Sequence, residues 1–329
     1  MAETLLVTGG AGYVGSHTAD VLAARGHKVV VVDRLSTGHR QAVPRAAAFV
    51  ELDLADAAGV ARLFQAHRFD AILHFASLSL VGESMADPLA YLGDNTQNAV
   101  NLLRAAAKSG VKRFVLSSTA NLYDQAGDKP IGEDLPIVPG SPYGESKFLI
   151  ERILHWADRT LGIRSASLRY FNAAGAHPDG HIGEDHQPET HLIPIVIQAA
   201  LGKRPKVSVF GSDYKTHDGT AVRDYVHVMD LAEAHIAVLD PLKSNSLRYN
   251  LGTGRGHSVN EVIRAVEEIG GRKVPVEYAP RRAGDPAVLV ADPAAIKRDL
   301  GWKPHFDTLR SIVETAWRWH EKHPNGYGG

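Results

Sequence analysis

The first half of the chain alternates short apolar runs, rich in β-branched residues, with longer segments whose apolar residues recur at helical spacing. This alternation is typical of a parallel β-sheet whose two faces are covered by helices. The predicted strands are TLLVTGG, KVVVVD, AFVELDL, DAILHFAS, KRFVLSST and SASLRYFN. The predicted helices are YVGSHTADVLAARG, AAGVARLFQAHR, PLAYLGDNTQNAVNLLRAAAKSG and YGESKFLIERILHWADRTLG.

The pattern changes after residue 172. The segment AAGAHPDGHIGEDHQPETH is polar and rich in turn-forming residues, and a looser mixture of short strands and helices follows it. We therefore predict two domains. Residues 1–172 form a doubly wound α/β domain, and residues 173–329 form a smaller α+β domain from which some segments return to the first.

Composition narrows the kind of partner. The chain has 329 residues and a formal net charge of -1, so it has no basic excess that would mark a nucleic-acid or anionic-membrane binder. It has no cysteine, which excludes disulfides, thiolate metal ligands and a cysteine nucleophile. The sequence also lacks a signal-peptide pattern and an apolar run long enough to span a bilayer. We expect a small-molecule partner and a cytoplasmic location.

A glycine-rich turn, GGAGYVG, lies between the first predicted strand and the first predicted helix. It matches G-x-G-x-x-G from Gly10, and G-x-x-G-x-x-G through Gly9, Gly12 and Gly15. Such glycines let the backbone approach a pyrophosphate at the positive end of a helix. Asp33 ends the second strand, where a Rossmann domain places its ribose-binding acid. Its carboxylate would repel a 2′-phosphate, which predicts NAD as the cofactor rather than NADP.

Two neighbouring features concern the adenosine end of this cofactor. Asp53 and Leu54, at the end of the third strand, are candidates for the adenine edge, although an Asp at this position is also a common helix cap. Arg34 follows Asp33 directly. Because adjacent strand residues point to opposite faces, we interpret Arg34 as a solvated surface side chain.

The segment SPYGESK carries the candidate chemistry. Pro142 suits the first turn of a helix, so Tyr143 and Lys147 would lie on one helical face. A tyrosine becomes a useful base at neutral pH only if its pKa falls by ~3 units, which corresponds to ~4 kcal/mol. The positive charges of Lys147 and of an oxidised nicotinamide ring would favour that phenolate. Thr119 ends the strand before it and could relay the proton, so we predict that Thr119, Tyr143 and Lys147 are catalytic.

These residues, beside the glycine turn, resemble the extended short-chain dehydrogenase/reductase family. Within that family the chain is most similar to the UDP-galactose 4-epimerases, along nearly its whole length. The similarity is carried by the segments VTGGAGYVGSH, VGES, SPYGESK, RYFNAAGAHP, HLIP, DGTAVRDYVHVMDLA, YNLGTG and RRAGDP.

The resemblance implies an NAD-dependent isomerase that acts on a UDP-hexose in galactose metabolism. Tyr143 would take the proton from the sugar 4-hydroxyl while the hydride leaves C4 for NAD⁺. The 4-keto sugar would then turn and receive the hydride on its other face, and NAD would stay bound. The resemblance also implies a homodimer formed through the helices around residues 88–108 and 143–160.

The resemblance extends to the residues that hold the two ligands, and it implies that residues 1–172 form the NAD-binding domain and residues 173–329 the UDP-sugar-binding domain. Beyond the glycine turn and the catalytic pair, the cofactor would be held by Tyr13, Val14, Phe75, Ala76, Ser117, Tyr170 and Phe171. The UDP-sugar would be held by Thr119, Asn172, His191, Leu192, Phe210, Arg223, Tyr225, Arg282, Asp285 and Leu289. Phe210 and Tyr225 would line the uridine region. Arg223, Arg282 and Asp285 would form a charged clamp on the diphosphate and ribose.

Some positions depart from the epimerase pattern. Ser79, Asp94 and Arg34 replace residues that commonly support the cofactor, so they bear on cofactor affinity. Leu289 stands where some members carry a bulky Tyr that bars N-acetylated sugars. UDP-N-acetylhexosamine or UDP-pentose epimerisation therefore stays open as an alternative.

Two other functions share the predicted fold. A sugar-nucleotide 4,6-dehydratase would need acidic residues directly after Thr119, where this chain has Ala120 and Asn121. A non-catalytic NAD-binding sensor would be expected to lose the Tyr or the Lys, and both are present. Both functions are therefore less favoured.

A histidine-rich segment raises the question of a metal site. Four histidines interleave with three acids, in the order His177, His181, Glu184, Asp185, His186, Glu189 and His191. This spacing matches no recognised ligand motif, and the segment follows the epimerase loop pattern. We therefore expect no metal.

Overall fold

The structure is a computed structural model that describes residues 2–123, 129–282 and 285–328. The chain divides into two compact units. The described residues of the first unit are 2–123, 136–170 and 232–249, and those of the second are 129–135, 171–231, 250–282 and 285–328. Residues 232–249 thus group with the first unit and residues 129–135 with the second. The assignment of one ligand to each domain stays a prediction.

Strands and helices alternate along most of the chain. The strands are β1 (Thr4–Thr8), β2 (Lys28–Asp33), β3 (Ala48–Glu51), β4 (Ala71–His74), β5 (Arg113–Thr119), β6 (Arg164–Tyr170), β7 (Asn172–Ala174), β8 (Val207–Phe210), β9 (Val222–His227), β10 (Leu247–Leu251), β11 (Gly256–Ser258), β12 (Val276–Ala279) and β13 (Val288–Leu289). The α-helices are α1 (Tyr13–Ala24), α2 (Ala57–Ala66), α3 (Val81–Ala86), α4 (Pro88–Ser109), α5 (Pro142–Leu161), α6 (Leu192–Ala200), α7 (Val228–Ala237), α8 (Val259–Gly270), α9 (Ala294–Leu300) and α10 (Leu309–Lys322). Short 3₁₀ helices span Arg40–Ala42, Ala120–Leu122 and Pro241–Lys243.

A seven-stranded sheet in the order β10-β6-β5-β4-β1-β2-β3 forms the centre of the first unit. The pairings from β3 across to β6 are all parallel, so the predicted doubly wound α/β fold is confirmed. The strand order reverses between β1 and β4, and ligands of such sheets bind where the order reverses, at the carboxyl ends of the strands. β10 was not among the predicted strands, because it joins the sheet from the second half of the chain.

Helices α4 and α5, the two longest that cover this sheet, begin at capping side chains. Asp87 accepts a hydrogen bond from the Ala90 N–H at the start of α4, and Ser141 accepts one from the Gly144 N–H at the start of α5. The apolar strand residues are buried on both faces, which is why these strands read as continuous apolar runs. The core members include Leu6, Val30, Ile72, Leu102, Phe114, Ile150 and Leu154.

The second unit has two smaller sheets and its own core. β9 lies between β11 and β13 and also pairs with β7, while β8 pairs with β12. Asp224 of β9 is fully buried and accepts hydrogen bonds from Thr253, Gly254 and Ala291, which fixes two loops against the strand. The apolar sides of α6, α8 and α10 pack around Val196, Val266 and Val313.

None of the helices in the described part of the chain is both long enough and apolar enough to cross a bilayer.

Candidate active site

The glycine turn after β1 has the geometry of a dinucleotide cradle. Gly9 has φ +70°, and a Cβ atom there would lie 2.4 Å from the Ala76 nitrogen. A Cβ on Gly15 would lie 2.2 Å from the Gly9 carbonyl oxygen, so the helix can start this close to the strand only with glycine. Gly12 precedes α1 without a capping side chain, and the first helical turn, with Tyr13 and Val14, contains no acidic residue. The positive end of α1 is therefore suited to an anionic group.

Asp33 closes this turn from the end of β2. One carboxylate oxygen accepts the Ala11 N–H at 3.0 Å, and the other accepts the Leu35 N–H at 2.9 Å. The carboxylate is thereby held beside the glycine turn. Each oxygen has a second lone pair, so the carboxylate can still accept from ribose hydroxyls.

The region predicted for adenine differs in part from expectation. Asp53 does not cap α2; that role belongs to Asp56, which accepts from Ala58 and Gly59. Instead, the Asp53 carboxylate accepts a hydrogen bond from the Ala55 N–H. This bond and the Arg34 guanidinium, which lies 3.2 Å away, lower the pKa of Asp53. Arg34 is thus exposed, as interpreted from the sequence, but it is paired rather than isolated in solvent.

Leu54 is a core residue rather than a surface contact. Its side chain packs in the core of the first unit and is 4% exposed. Its carbonyl oxygen accepts a hydrogen bond from Asn101 at 2.8 Å. Any contact with the cofactor would therefore involve the Leu54 backbone.

Several predicted cofactor residues lie at the carboxyl ends of the middle strands. Phe75 and Ala76 follow β4, and both donate their N–H groups to the Thr8 carbonyl, which places them against the glycine turn. The Ser117 and Tyr170 hydroxyls, on β5 and β6, lie 2.5 Å apart. Phe171 belongs to the second unit, where its N–H bonds to the Leu251 carbonyl. The residues of the first unit therefore fit a dinucleotide.

Tyr143 and Lys147 lie one turn apart on α5, as predicted from their spacing. Both are almost fully buried, and the Lys147 ammonium lies 5.8 Å from the centre of the Tyr143 ring. Lys147 Nζ donates to the Ser117 carbonyl oxygen at 2.8 Å, which ties the helix to β5.

Thr119 completes the predicted triplet. Its hydroxyl shares a hydrogen bond with Tyr143, and this bond lowers the pKa of Tyr143. The Thr119 oxygen also accepts from the backbone and the side-chain amide of Asn121, at 3.1 and 3.3 Å. Its only hydrogen is therefore left to be donated to Tyr143, which favours the phenolate.

Burial works against the predicted activation of Tyr143. It raises the pKa of Tyr143 well above its usual value, and it lowers the pKa of Lys147 to about 7. The charges near the tyrosine can be identified from the sequence, whereas the desolvation of Tyr143 and Lys147 depends on the fold. In this chain alone, the balance therefore favours a neutral tyrosine.

A buried ion pair on the same face of α5 was missed from the sequence. Glu151 lies one turn beyond Lys147 and binds Arg169 of β6 through two contacts, at 2.9 and 2.5 Å. Arg169 is fully buried and also donates to the Tyr123 hydroxyl at 2.6 Å. Ser118 donates to Glu151 at 2.7 Å. The four-residue spacing of Tyr143, Lys147 and Glu151 was the signal available in the sequence.

In the second unit, four predicted substrate residues share one small sheet. Asn172 of β7 is in register with Tyr225 of β9, and Leu289 of β13 is in register with Arg223 of β9. Tyr225 is buried, which raises its pKa. Parallel pairing with β9 thus brings together residues that are far apart in sequence.

The predicted clamp residues contact other predicted substrate residues. The Arg223 guanidinium forms an ion pair with Asp285. The Arg282 guanidinium lies over the Phe210 ring, 4.0 Å from its centre. Arg281, its neighbour, pairs with Asp213. Of these two neighbouring arginines, Arg282 is therefore the one that contacts Phe210, a residue predicted to line the uridine region.

His191 and Leu192 lie at the start of α6, within the histidine-rich segment. His191 Nδ1 lies 2.8 Å from Glu184 Oε1 and 3.0 Å from Glu189 Oε1. Burial opposes protonation of His186, but its contacts with Glu184 and Glu189 outweigh burial and raise its pKa to about 9. Four residues that are spread over the loop in sequence therefore converge in space.

Comparison with known proteins identifies the family. The model of the NAD dependent epimerase/dehydratase family matches residues 5–252. The chain belongs to this family. A UDP-glucose 4-epimerase of Lacticaseibacillus casei is 49% identical over 327 residues, which is 99% of each chain.

Solved structures of family members are also similar. The UDP-glucose 4-epimerase of Brucella ovis in complex with NAD has a TM-score of 0.93 and 43% identity, covering 96% of this chain and 98% of that one. The Bifidobacterium longum UDP-glucose 4-epimerase in complex with NAD⁺ and UDP has a TM-score of 0.92 and 38% identity, covering 98% and 99%. The family resemblance inferred from the sequence is confirmed, while the role of each side chain stays a prediction.

Proposed function

We propose that this chain is a UDP-glucose 4-epimerase, which reversibly inverts C4 of UDP-galactose and UDP-glucose by way of a 4-keto sugar. The observation that carries the proposal is the arrangement at the start of α5. There a buried tyrosine shares a hydrogen bond with Thr119 and lies one turn from Lys147, in the unit that contains the glycine turn. The full-length similarity to UDP-glucose 4-epimerases supports the choice of substrate.

In this proposal, Tyr143 takes the proton from the 4-hydroxyl group and later returns it. The hydrogen bond donated by Thr119 stabilises the phenolate, and Asn121 holds Thr119 in the orientation to donate it. Lys147 contributes its charge and anchors α5 to β5 through Ser117. These contacts offset part of the desolvation cost that raises the pKa of Tyr143.

NAD would be held by the glycine turn, Asp33 and the carboxyl ends of β4 to β6. When bound, the oxidised cofactor supplies a hydride acceptor and a positive charge that favours the phenolate. The apolar side chains of Phe75 and Ala76 would limit the access of water to the nicotinamide site.

In the second unit, Arg223 and Arg282 would hold the diphosphate and Phe210 would support the uracil ring. A guanidinium forms paired hydrogen bonds with phosphate oxygens, so it can exchange its present carboxylate partner for a phosphate. Asp285, released in this way, could accept from the ribose hydroxyls. Asn172, Tyr225 and Leu289 would line the same sheet.

The test of this function is to follow UDP-galactose that carries deuterium at C4. We expect UDP-glucose with the deuterium retained at C4, because the hydride never leaves the protein. The products are identified by NMR. Washout of deuterium into water would contradict the proposed route, a 4-keto-6-deoxy product would show a dehydratase, and no turnover despite bound NAD would show a sensor.

The sugar range is tested by assaying UDP-galactose, UDP-glucose, UDP-N-acetylglucosamine and a UDP-pentose side by side. Leu289 lacks the ring that a tyrosine would place at its position. If N-acetylated sugars are turned over, Leu289→Tyr should suppress that activity and spare UDP-galactose. Leu289→Met is the matched control, since it keeps an apolar side chain of similar volume.

We further propose a cytoplasmic homodimer that associates through α4 and α5. Its support is the exposure of large apolar side chains around these helices: Met85 is 64%, Leu89 78% and Trp156 58% exposed. Leu89→Glu with Trp156→Glu should convert dimer to monomer, as measured by light scattering after gel filtration. Tyr278→Glu, an exposed residue of the second unit, is the control. A wild-type monomer would contradict the proposal.

A further inference from the structure

Four side chains of the second unit converge in the loop that joins β7 to α6. They are Glu184, His186, Glu189 and His191, and each offers a ligand atom within 4.8 Å of all the others. Both carboxylate side chains are nearly fully buried, with exposed fractions of 4% and 3%. Two buried carboxylates at such close range need positive charge beside them.

The hydrogen bonds within this group leave carboxylate oxygens unsatisfied. His191 Nδ1 bonds to Glu189 Oε1, although Glu184 Oε1 is closer, at 2.8 Å. One imidazole N–H cannot be directed at both oxygens. Within the described residues, Glu184 Oε1 and Glu189 Oε2 are buried and accept no well-directed hydrogen bond, although imidazole nitrogens lie 2.8 and 3.3 Å from the first and 3.8 Å from the second. A buried oxygen without a well-directed hydrogen bond costs free energy.

The spacing of the donor atoms matches that of a coordinated metal. Ligands at ~2.0–2.1 Å around a tetrahedral Zn²⁺ lie ~3.3 Å from one another. Glu184 Oε1 lies 2.8 Å from His191 Nδ1 and 3.3 Å from His186 Nδ1. Glu189 lies 3.0 Å from His191 Nδ1 through Oε1 and 3.8 Å from His186 Nδ1 through Oε2, so these distances fall on either side of the expected value. Two imidazoles and two carboxylates form a donor set that suits Zn²⁺ better than Mg²⁺ or Ca²⁺, which prefer oxygen ligands only.

We propose that Glu184, His186, Glu189 and His191 bind one Zn²⁺ in a structural site. Four protein ligands fill a tetrahedral shell, so the ion would not be a catalytic centre. The ion would balance the charge of both carboxylates and accept a lone pair from Glu184 Oε1. This proposal departs from the expectation of no metal, which rested on the sequence spacing and on the epimerase loop pattern, and it does not depend on the proposed epimerase activity.

The loop around the site is already fixed to α10. Trp319 donates to the Glu184 carbonyl at 3.1 Å, and the Tyr327 hydroxyl bonds to Gly183. The ion would extend this support to the start of α6. Coordination of His191 through Nδ1 leaves its Nε2 available for another partner.

The experiment uses the full chain without a histidine tag. The protein is stripped with a chelator, dialysed against ZnCl₂, desalted and analysed by inductively coupled plasma mass spectrometry. We expect about one Zn²⁺ per chain and a higher melting temperature with the ion than with EDTA. Less than about one-tenth of an equivalent, with no change in melting temperature, would mean that the group is only a network of histidine and carboxylate ion pairs.

Glu184→Gln and His186→Gln keep the side-chain shape approximately and remove a ligand. Each should lose the bound Zn²⁺ and the effect of Zn²⁺ on melting. The controls Glu268→Gln and His155→Gln alter exposed residues outside the loop and should keep both. Equal Zn²⁺ content in the ligand variants and the wild type would overturn the proposal. If a variant does not fold, anomalous scattering at the zinc edge from wild-type crystals tests the site instead. A peak among the four side chains supports the proposal, and no peak there overturns it.

Discussion

Tyr143→Phe should lower kcat for UDP-galactose by about 10³-fold while the protein folds normally and keeps NAD. Phenylalanine fills the same buried space, so packing in the first unit changes little. The substitution removes only the hydroxyl group that shares a hydrogen bond with Thr119 and that we assign as the base. Removal of one positioned acid–base group typically costs 10²–10⁴-fold.

The rate is measured by NMR of the sugar products, and bound NAD is measured by its release on denaturation. Tyr278→Phe is the matched control, because this tyrosine is 56% exposed and lies in the second unit. Turnover within a few-fold of wild type in the Tyr143 variant would remove the assigned base. A fall in rate that follows loss of NAD or of helicity would instead indicate a structural role.

Arg169→Met should reduce the free energy of unfolding by about 3–5 kcal/mol. The guanidinium is fully buried and binds both oxygens of Glu151 and the Tyr123 hydroxyl. Its removal leaves the Glu151 carboxylate buried with only Ser118 as a hydrogen-bond donor among its contacts in the described chain. Because Glu151 lies on the α5 face that carries Tyr143 and Lys147, activity should fall as well.

Urea unfolding followed by circular dichroism measures this loss. The double variant Arg169→Met with Glu151→Gln should recover more than half of it, because no uncompensated charge is then buried. Arg310→Met is the control: its pair with Glu314 is largely exposed, so the loss should stay below about 1 kcal/mol. A loss as small as that of the control would show that the buried pair contributes little to stability.

The sequence determined those features that depend on neighbours along the chain. The predicted strands β1 to β6 and the predicted helices α1, α2, α4 and α5 were found, because apolar runs and helical spacing are local patterns. The short helix α3 was not predicted. The glycine turn and the placement of Tyr143 and Lys147 on one face of α5 were likewise predictable, since each depends on a few consecutive residues. The family followed from the same short segments, and the match over residues 5–252 confirmed it.

Only the tertiary structure decided which distant groups meet and how far each is removed from water. Pairing with β6 made β10 a strand of the first sheet, and pairing with β9 gathered the predicted substrate residues. Burial, which no local pattern specifies, raises the pKa of Tyr143 and opposes its predicted activation. The Arg169–Glu151 pair and the convergence of Glu184 with His191 also came from folding. Electrostatic and metal-binding properties depend on distance and desolvation in space, whereas periodicity and turn chemistry depend on order along the chain.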